Sequence, residues 1–575
     1  MQLINYINSL HNINASGTNT LAESQINSAY FKDIYHPFPI VASLQTLIGA
    51  NNNTIIILTG HAGDGKSTIA FELLRELGEG RYSQNYQFKK YEYLETHDLH
   101  VLKDMSELSL EDRKQWLDKA FGSTGNWVIV SNTGPLLTSI ADALKDTNWS
   151  ADFQEHEIES KILGYLDTDI AQDYDLSNLK LPSANGKDLY IVNIAKLDNI
   201  DIAIKIFKKI IGHSEWDKII KSYPNDPITL NYLTIKHNYE QVEESIRLTY
   251  LYLLNYEKRM TLRQMLAHLS ASITAGKNLS EVDNSLLGKA QPDRPLLFSD
   301  TFFGYIGDEI WHEAKDTKVM SLISKIHAGG YTSLEIENLI ADKENFACVS
   351  EPLKGIIYSY IDKDNLSEFH KEKTLLRRIL FIYGINTQGF ESAKSLFLGS
   401  SSIHKFNKWQ LDPSSFNAEK KHLKRACDKA LNLFYSGSED PKYINITLKR
   451  SDSSIFQIAQ LMICSIPKSA LRVDYDNQKK LPFLYLKSNK NIRLDLSLPL
   501  LDYIENIVSG DISESLNPIY KTQLERFKLS LIESEQDVDN EEITLVRIQA
   551  NGDLKKSEIY FEKNDSDKMI LKVEG

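Results

Sequence analysis

The chain has very little cysteine for its 575 residues: Cys348, Cys427 and Cys464 stand far apart, with no CxxC pair and no histidine at ligand spacing. That leaves no framework for disulfides or structural zinc, and the thiols are expected to be reduced and buried. Hydrophobic runs are also short. TIIIL and LTYLYLL are among the longest, far below the ~20 apolar residues of a membrane-spanning helix. The opening MQLINYINSLHNINAS lacks a basic n-region and a continuous apolar h-region, so we expect no signal peptide, no membrane segment and a cytoplasmic location. Positive charge is in deficit, with a formal net charge of -13. Duplex DNA is polyanionic, so this balance argues against a freestanding DNA-coating protein, while leaving room for a local basic patch or a basic partner. Proline (15) and glycine (27) are too few for a disordered chain, and no repeat of fixed period is visible.

What is present is a globular composition, 42% hydrophobic and 25% charged, in a chain long enough for two to four domains. The first third alternates β-rich runs with helical periodicity, the pattern of a parallel sheet with crossover helices. Strands are expected at Thr54–Leu58, Phe88–Leu94, Val101–Asp104, Trp127–Ser131 and Leu189–Ile194, and helices at Ser67–Leu77, Leu110–Phe121 and Pro135–Leu144. The polar stretch 153–187 reads as a helix and loop. From Ile200 to Tyr435 the pattern is mostly helical. At Thr261–Ala275, residues Leu262, Met265, Leu266, Leu269 and Ile273 share one face, Thr261 and Gln264 form a capping box, and Gly276 sits where a C′ glycine would. The last part reads as short strands at Leu471–Val473, Phe483–Leu486 and Ile492–Leu496, helices at Leu498–Val508 and Pro518–Ile532, and a terminal meander turning at Asn551-Gly552 and Asn564–Asp567. Three segments follow: an α/β core at 1–215, a helical lid and extension at 216–440, and a small α+β domain at 441–575.

The segment TIIILTGHAGDGKST holds G-x-x-x-x-G-K-S from Gly60 to Ser67, after a β-branched run and before an amphipathic helix closed by Gly78. Glycines let backbone amides approach a triphosphate closely, a lysine supplies a point charge, and a serine hydroxyl suits Mg²⁺. Gly60, His61, Ala62, Gly63, Asp64, Gly65, Lys66, Ser67 and Thr68 are therefore the expected contacts for ATP and Mg²⁺. Hydrolysis also needs an acid at the end of a neighbouring strand. In HVLKDMSEL, Asp104 fits that role or caps a following turn, with Glu107 nearby and Asp98 an alternative. NWVIVSNTGP, a strand running into a polar turn, resembles the segment of additional-strand P-loop ATPases whose polar residue contacts the γ-phosphate or lytic water; that resemblance makes Asn132 the candidate, with Thr133 second, and the alternative is a plain turn. Arg263 would sense the phosphate in cis, and Arg377 or Arg378 from a neighbouring subunit; each is also an ordinary helical arginine. The run Glu419–Lys429 gathers Lys420, Lys421, Lys424 and Arg425, on a solvated face or against a phosphate backbone. Asp474 and Lys487 do not make a metal nuclease, because Tyr485 occupies the position where its acid belongs.

The order P-loop, Asp104 strand, NTG strand and helical extension resembles the AAA+/STAND branch of P-loop ATPases. GDGKS, NTGPLL, VNIAKLDN and TLRQML together resemble bacterial anti-phage defence ATPases, in particular the DptF-like ATPase subunit of DNA-phosphorothioation-dependent restriction systems, over roughly the first 280 residues. VLKDMSEL departs from that family's pattern. The resemblance implies an AAA-like ATPase working with a partner nuclease or translocase in an oligomeric assembly, with DNA as a further partner. The alternative is a STAND-like, nucleotide-gated scaffold with little turnover.

Overall fold

The computed structural model describes residues 2–11, 30–50, 53–78, 80, 82, 86, 88–170, 173–280, 296–307, 309–315, 317–326, 333–346, 351–361, 366–384, 390–448, 459–510, 516–535, 543–548, 554–563 and 569–574. Cys348 and the turns expected at Asn551-Gly552 and Asn564–Asp567 lie outside these residues. The chain divides into two units, Met1–Leu398 and Gly399–Gly575.

The first unit is built on six strands: β1 (Thr54–Thr59), β2 (Tyr91–Leu94), β3 (Leu99–Leu102), β4 (Asn126–Val130), β5 (Lys180–Ala184) and β6 (Lys187–Asn193), in the order β2-β3-β4-β1-β6-β5. The four inner strands β3, β4, β1 and β6 run parallel, and the two edges are antiparallel. This corrects the expectation of a wholly parallel sheet. β5 was read as loop because KLPSA is polar, carries Pro182 and pairs irregularly with β6; edge strands tolerate such residues.

β1 and β4 are buried along their full length, as expected for parallel strands covered on both faces. On one face Ile55, Ile57, Trp127, Ile129 and Ile191 meet Leu117, Phe121, Leu136, Ile140 and Ile162, from the helices Leu110–Gly122, Thr133–Lys145 and Glu155–Asp167. The Lys66–Leu77 helix packs against β4 and against the Ile40–Ala50 helix.

Beyond β6 the described residues of the first unit are helical apart from a two-stranded ladder, β7 (Tyr305–Ile306) and β8 (Glu309–Ile310). Asn199–Ile211 and Gln2–Leu10 both pack against Leu262–Thr274. Both halves of the Thr261–Gln264 capping box form, at 2.9 and 3.4 Å. Left-handed backbone begins one residue before the expected glycine, at Ala275 (φ 50°), and continues at Gly276 (φ 72°). His268 on this helix is fully enclosed between the Tyr250 hydroxyl and the Phe302 carbonyl, and burial pulls its pKa down to about 4.

The second unit combines a five-stranded antiparallel sheet with a three-stranded one, β11-β12-β13. The latter matches the expected short strands, at Leu471–Asp476, Leu481–Leu486 and Asn489–Asp495. Strands β9 (Tyr443–Leu448) and β10 (Ala459–Pro467) were not expected, since short apolar runs do not by themselves separate strand from helix. The Phe416–Tyr435 helix packs on β9, so the second unit begins well before the change of character read near residue 440. The basic run lies on this helix. Lys420 pairs with Asp474 at 2.7 Å, and Lys424 with Asp428 and the Lys468 carbonyl, while Lys421 and Arg425 are exposed.

Arg377 and Arg378 are both buried, each in an ion pair within the first unit. Arg377 is held by Glu337. Arg378, 1% exposed, donates to Asp300 at 2.8 Å and to the Gly307 carbonyl at 2.6 Å, and lies over the Tyr305 ring. Removing one partner of a buried pair strands the other charge, at about 3–5 kcal/mol. Arg378→Met should therefore lower the stability of the first unit by about that amount in urea titration. An arginine that acted on a phosphate in trans would instead change turnover and leave stability alone.

Candidate functional site

Parallel strands place all their carboxyl ends on one edge of the sheet, which is where ligands bind in open α/β sheets. Leu58 of β1 pairs with Val130 of β4, Ile129 of β4 with Leu102 of β3, and Thr59 with Asn193 of β6. The segments that continue from these strands, around Gly60, Asp104, Asn132 and Asn193, therefore meet at one edge. Asp98 lies before β3, on the opposite edge, where it accepts from the Tyr93 hydroxyl at 2.9 Å; it is removed from the candidate site.

The loop Gly60–Gly65 joins β1 to the Lys66–Leu77 helix. Gly65 occupies the N-cap position with φ 94° and supplies no side-chain cap, and the first turn of the helix holds no acid. The amides that open a helix lack intrahelical acceptors and carry its positive dipole end, so this terminus favours an anion. A Cβ on Gly65 would stand 2.6 Å from Cζ of Phe38, and one on Gly63 (φ 93°) 3.0 Å from Oγ1 of Thr261. Both glycines are thus needed for backbone shape and for close approach.

Lys66 is only 6% exposed. Its Nζ donates to the Gly60 carbonyl at 3.1 Å, the His61 carbonyl at 2.7 Å and Oδ1 of Asn132 at 2.9 Å. None of these acceptors carries a charge. Burial lowers the Lys66 pKa, and the nearby Asp64 and Asp104 carboxylates oppose that shift.

A cavity of about 290 Å³ opens beside the loop. The loop lines it with Ala62, Gly63, Gly65, Lys66, Ser67 and Thr68, and the remaining polar lining comes from Lys103, Asp104, Glu107, Asn132 and Arg263. Its apolar lining comes from Tyr6 and Leu10 of the first helix, Phe31, Ile34, Tyr35 and Phe38 of the segment before β1, and Leu262 and Leu266 of the helical region, with Phe38 directly against Gly65. Gly60, His61 and Asp64 belong to the loop without lining the cavity. His61 is exposed and Asp64 is fully buried.

Asp104 lies two residues past β3, and Oδ1 accepts the Ser106 amide at 2.8 Å. The capping reading is therefore realised while the carboxylate still lines the cavity. Asn132 precedes the Thr133–Lys145 helix, and its Oδ1 accepts from Lys66 Nζ. Thr133 is turned to Thr59, with 3.3 Å between the hydroxyls. The Arg263 amide donates to the Gly63 carbonyl at 3.1 Å, which brings this helix start directly onto the loop, and burial lowers the Arg263 pKa.

Three parts of the site were not read from the sequence. The apolar lining from Tyr6, Leu10, Phe31, Ile34, Tyr35 and Phe38 resembles any short amphipathic helix until it is folded. Lys103, whose pKa burial lowers, carries no motif that marks it as part of a site. Arg259, which grips Asp64, lies 195 residues from it. Comparison with protein-family models, curated proteins and solved structures found no match to this chain.

Gly65→Ala would place a methyl group against Phe38 in a left-handed backbone. Strain and overpacking together cost about 1–3 kcal/mol, so the melting temperature should fall. An unchanged melting temperature would mean that this loop does not hold the geometry described.

Proposed function

We propose that the first unit binds ATP and hydrolyses it as an AAA-like P-loop NTPase. The triphosphate rests on Gly60–Thr68 and adenine lies against the wall made by Tyr6, Phe31, Ile34 and Phe38. The observation that carries this reading is Lys66: a buried ammonium with only neutral acceptors, beside a helix N-terminus without a side-chain cap, in a cavity whose lining is part polar loop and part aromatic and aliphatic. A polyanion with an aromatic base is the complement of such a site.

Binding would exchange the three neutral acceptors of Lys66 for phosphate oxygens and release the Asn132 amide, which is then available to the γ-phosphate or the attacking water. The oxygen donors suited to Mg²⁺ are the Ser67 hydroxyl and the Asp104 carboxylate. When bound, the ion neutralises charge on the phosphate oxygens. Arg263 would meet charge that develops on the transferring phosphate, and Glu107 adds a second carboxylate to the cavity lining.

The biological role we attach to this site rests on the resemblance to defence ATPases: coupling nucleotide state to a partner effector nuclease, a translocase or DNA in a restriction assembly. No helix among the described residues is long and apolar enough to cross a membrane. A second reading, a nucleotide-gated scaffold with little turnover, is favoured by one observation: Asp104 already spends an oxygen on the Ser106 amide.

Purified protein should hydrolyse ATP, and Lys66→Ala should abolish both binding and turnover. Asp104→Ala should retain binding and lose turnover by about 10²-fold or more, the scale on which such electrostatic contributions act. Turnover unchanged in both variants would sink the assignment. Tight binding without turnover in the parent protein, alone or with duplex DNA, would select the scaffold.

A further inference from the structure

Asp64 is the only acidic residue between Gly60 and Thr68, and its side chain is fully buried. Oδ2 accepts the His61 amide at 2.9 Å and Nη1 of Arg259 at 3.2 Å. Oδ1 accepts Nη2 of Arg259 at 3.0 Å and Nδ2 of Asn199 at 3.5 Å. The guanidinium therefore grips both carboxylate oxygens, the geometry in which arginine pairs most strongly. Arg259 Nη1 also stands 3.2 Å from Nδ1 of His61. Four residues further on, the Arg263 amide binds the Gly63 carbonyl. Residues 259–263 thus hold the loop at His61, Gly63 and Asp64.

A carboxylate inside a loop that receives phosphates is a fixed negative charge beside a polyanion. Burial weakens the screening of that charge, and the same carboxylate offsets part of the Lys66 charge, which it already influences. The bidentate partner cancels it. The bond from the His61 amide to Asp64 also fixes the direction of the loop backbone, and Arg259 holds Asp64 in the position that makes this bond.

We infer that Arg259 is a positioning residue for the polyphosphate: by neutralising and orienting Asp64 it makes the loop's affinity for phosphate groups depend on the segment that starts the Leu262–Thr274 helix. This rests on the nucleotide reading of the site. It carries a consequence for regulation, because any movement that withdraws residues 259–263 exposes the phosphates to an unpaired Asp64 and weakens their binding. The helical region then senses and sets the nucleotide state through one ion pair.

The test is the affinity of Arg259→Met for ATP, ADP and adenosine in the full chain, beside Asp64→Asn/Arg259→Met and Lys66→Ala. We expect Arg259→Met to weaken ATP by about 10- to 100-fold, ADP by less, and adenosine not at all. The double variant, which removes the charge that Arg259 answers, should recover most of the ATP affinity. ATP binding unchanged in Arg259→Met, equal losses for ATP and adenosine, or no recovery in the double variant would each overturn the inference. If Arg259→Met does not fold, the double variant alone decides: near-parental ATP affinity supports the inference, and its loss overturns it. Lys66→Ala separates the two levels, since retained ATP binding there removes the nucleotide reading itself. Loss there, with Arg259→Met unaffected, removes only the role of Arg259.

Discussion

A lysine ammonium enclosed at the carboxyl end of β1 is the constraint on which the first unit turns. Moving a charge out of water is unfavourable unless polar groups replace the water. Here the Gly60 and His61 carbonyls and the Asn132 amide oxygen replace it. To deliver these three, β1 must stop at Thr59, the loop must double back over the lysine, and β4 must lie next to β1 so that Asn132 arrives at the same edge. The sheet order and the positive-φ glycines are the means by which the chain meets those demands.

The second feature of the unit is that its site is closed by parts distant in sequence. The first helix packs on the Leu262–Thr274 helix, joined by Asn8, which donates to the Lys277 carbonyl at 2.9 Å and accepts from Thr274 at 2.6 Å. Between them they supply Tyr6, Leu10, Leu262 and Leu266 to the apolar wall. The start of the second of these helices is also what grips the loop, through Arg259 and the Arg263 amide. One helical layer therefore contacts both the surface proposed for the base and the loop proposed for the phosphates.

The loop and its flanking strand and helix were legible because local rules suffice there: a β-branched run, glycines where φ must be positive, and apolar residues at helical spacing. Inner strands β1, β4 and β6 were placed to within a residue or two for the same reason. β3 ends at Leu102 rather than Asp104, since Lys103 and Asp104 already belong to the turn that Asp104 caps. β5 escaped notice because an edge strand needs little apolar character. Contacts over long separations were invisible: nothing about Arg259 announces Asp64, and Arg378 reads as a surface arginine until Asp300 is found beside it. The wall from Tyr6 to Phe38 was missed because aromatic residues in short helices look alike whether they fill a core or line a cavity.

The central claim is spatial: phosphates at the Gly60–Thr68 loop and base against the wall built by the N-terminal segment. Photolabelling with 8-azido-ATP, followed by peptide mapping, tests it most directly. The account predicts labelling within residues 2–11, 30–50 or 262–274, suppressed by excess ATP and absent in Lys66→Ala. Labelling confined to residues 399–575, or labelling that ATP does not compete away, would contradict it.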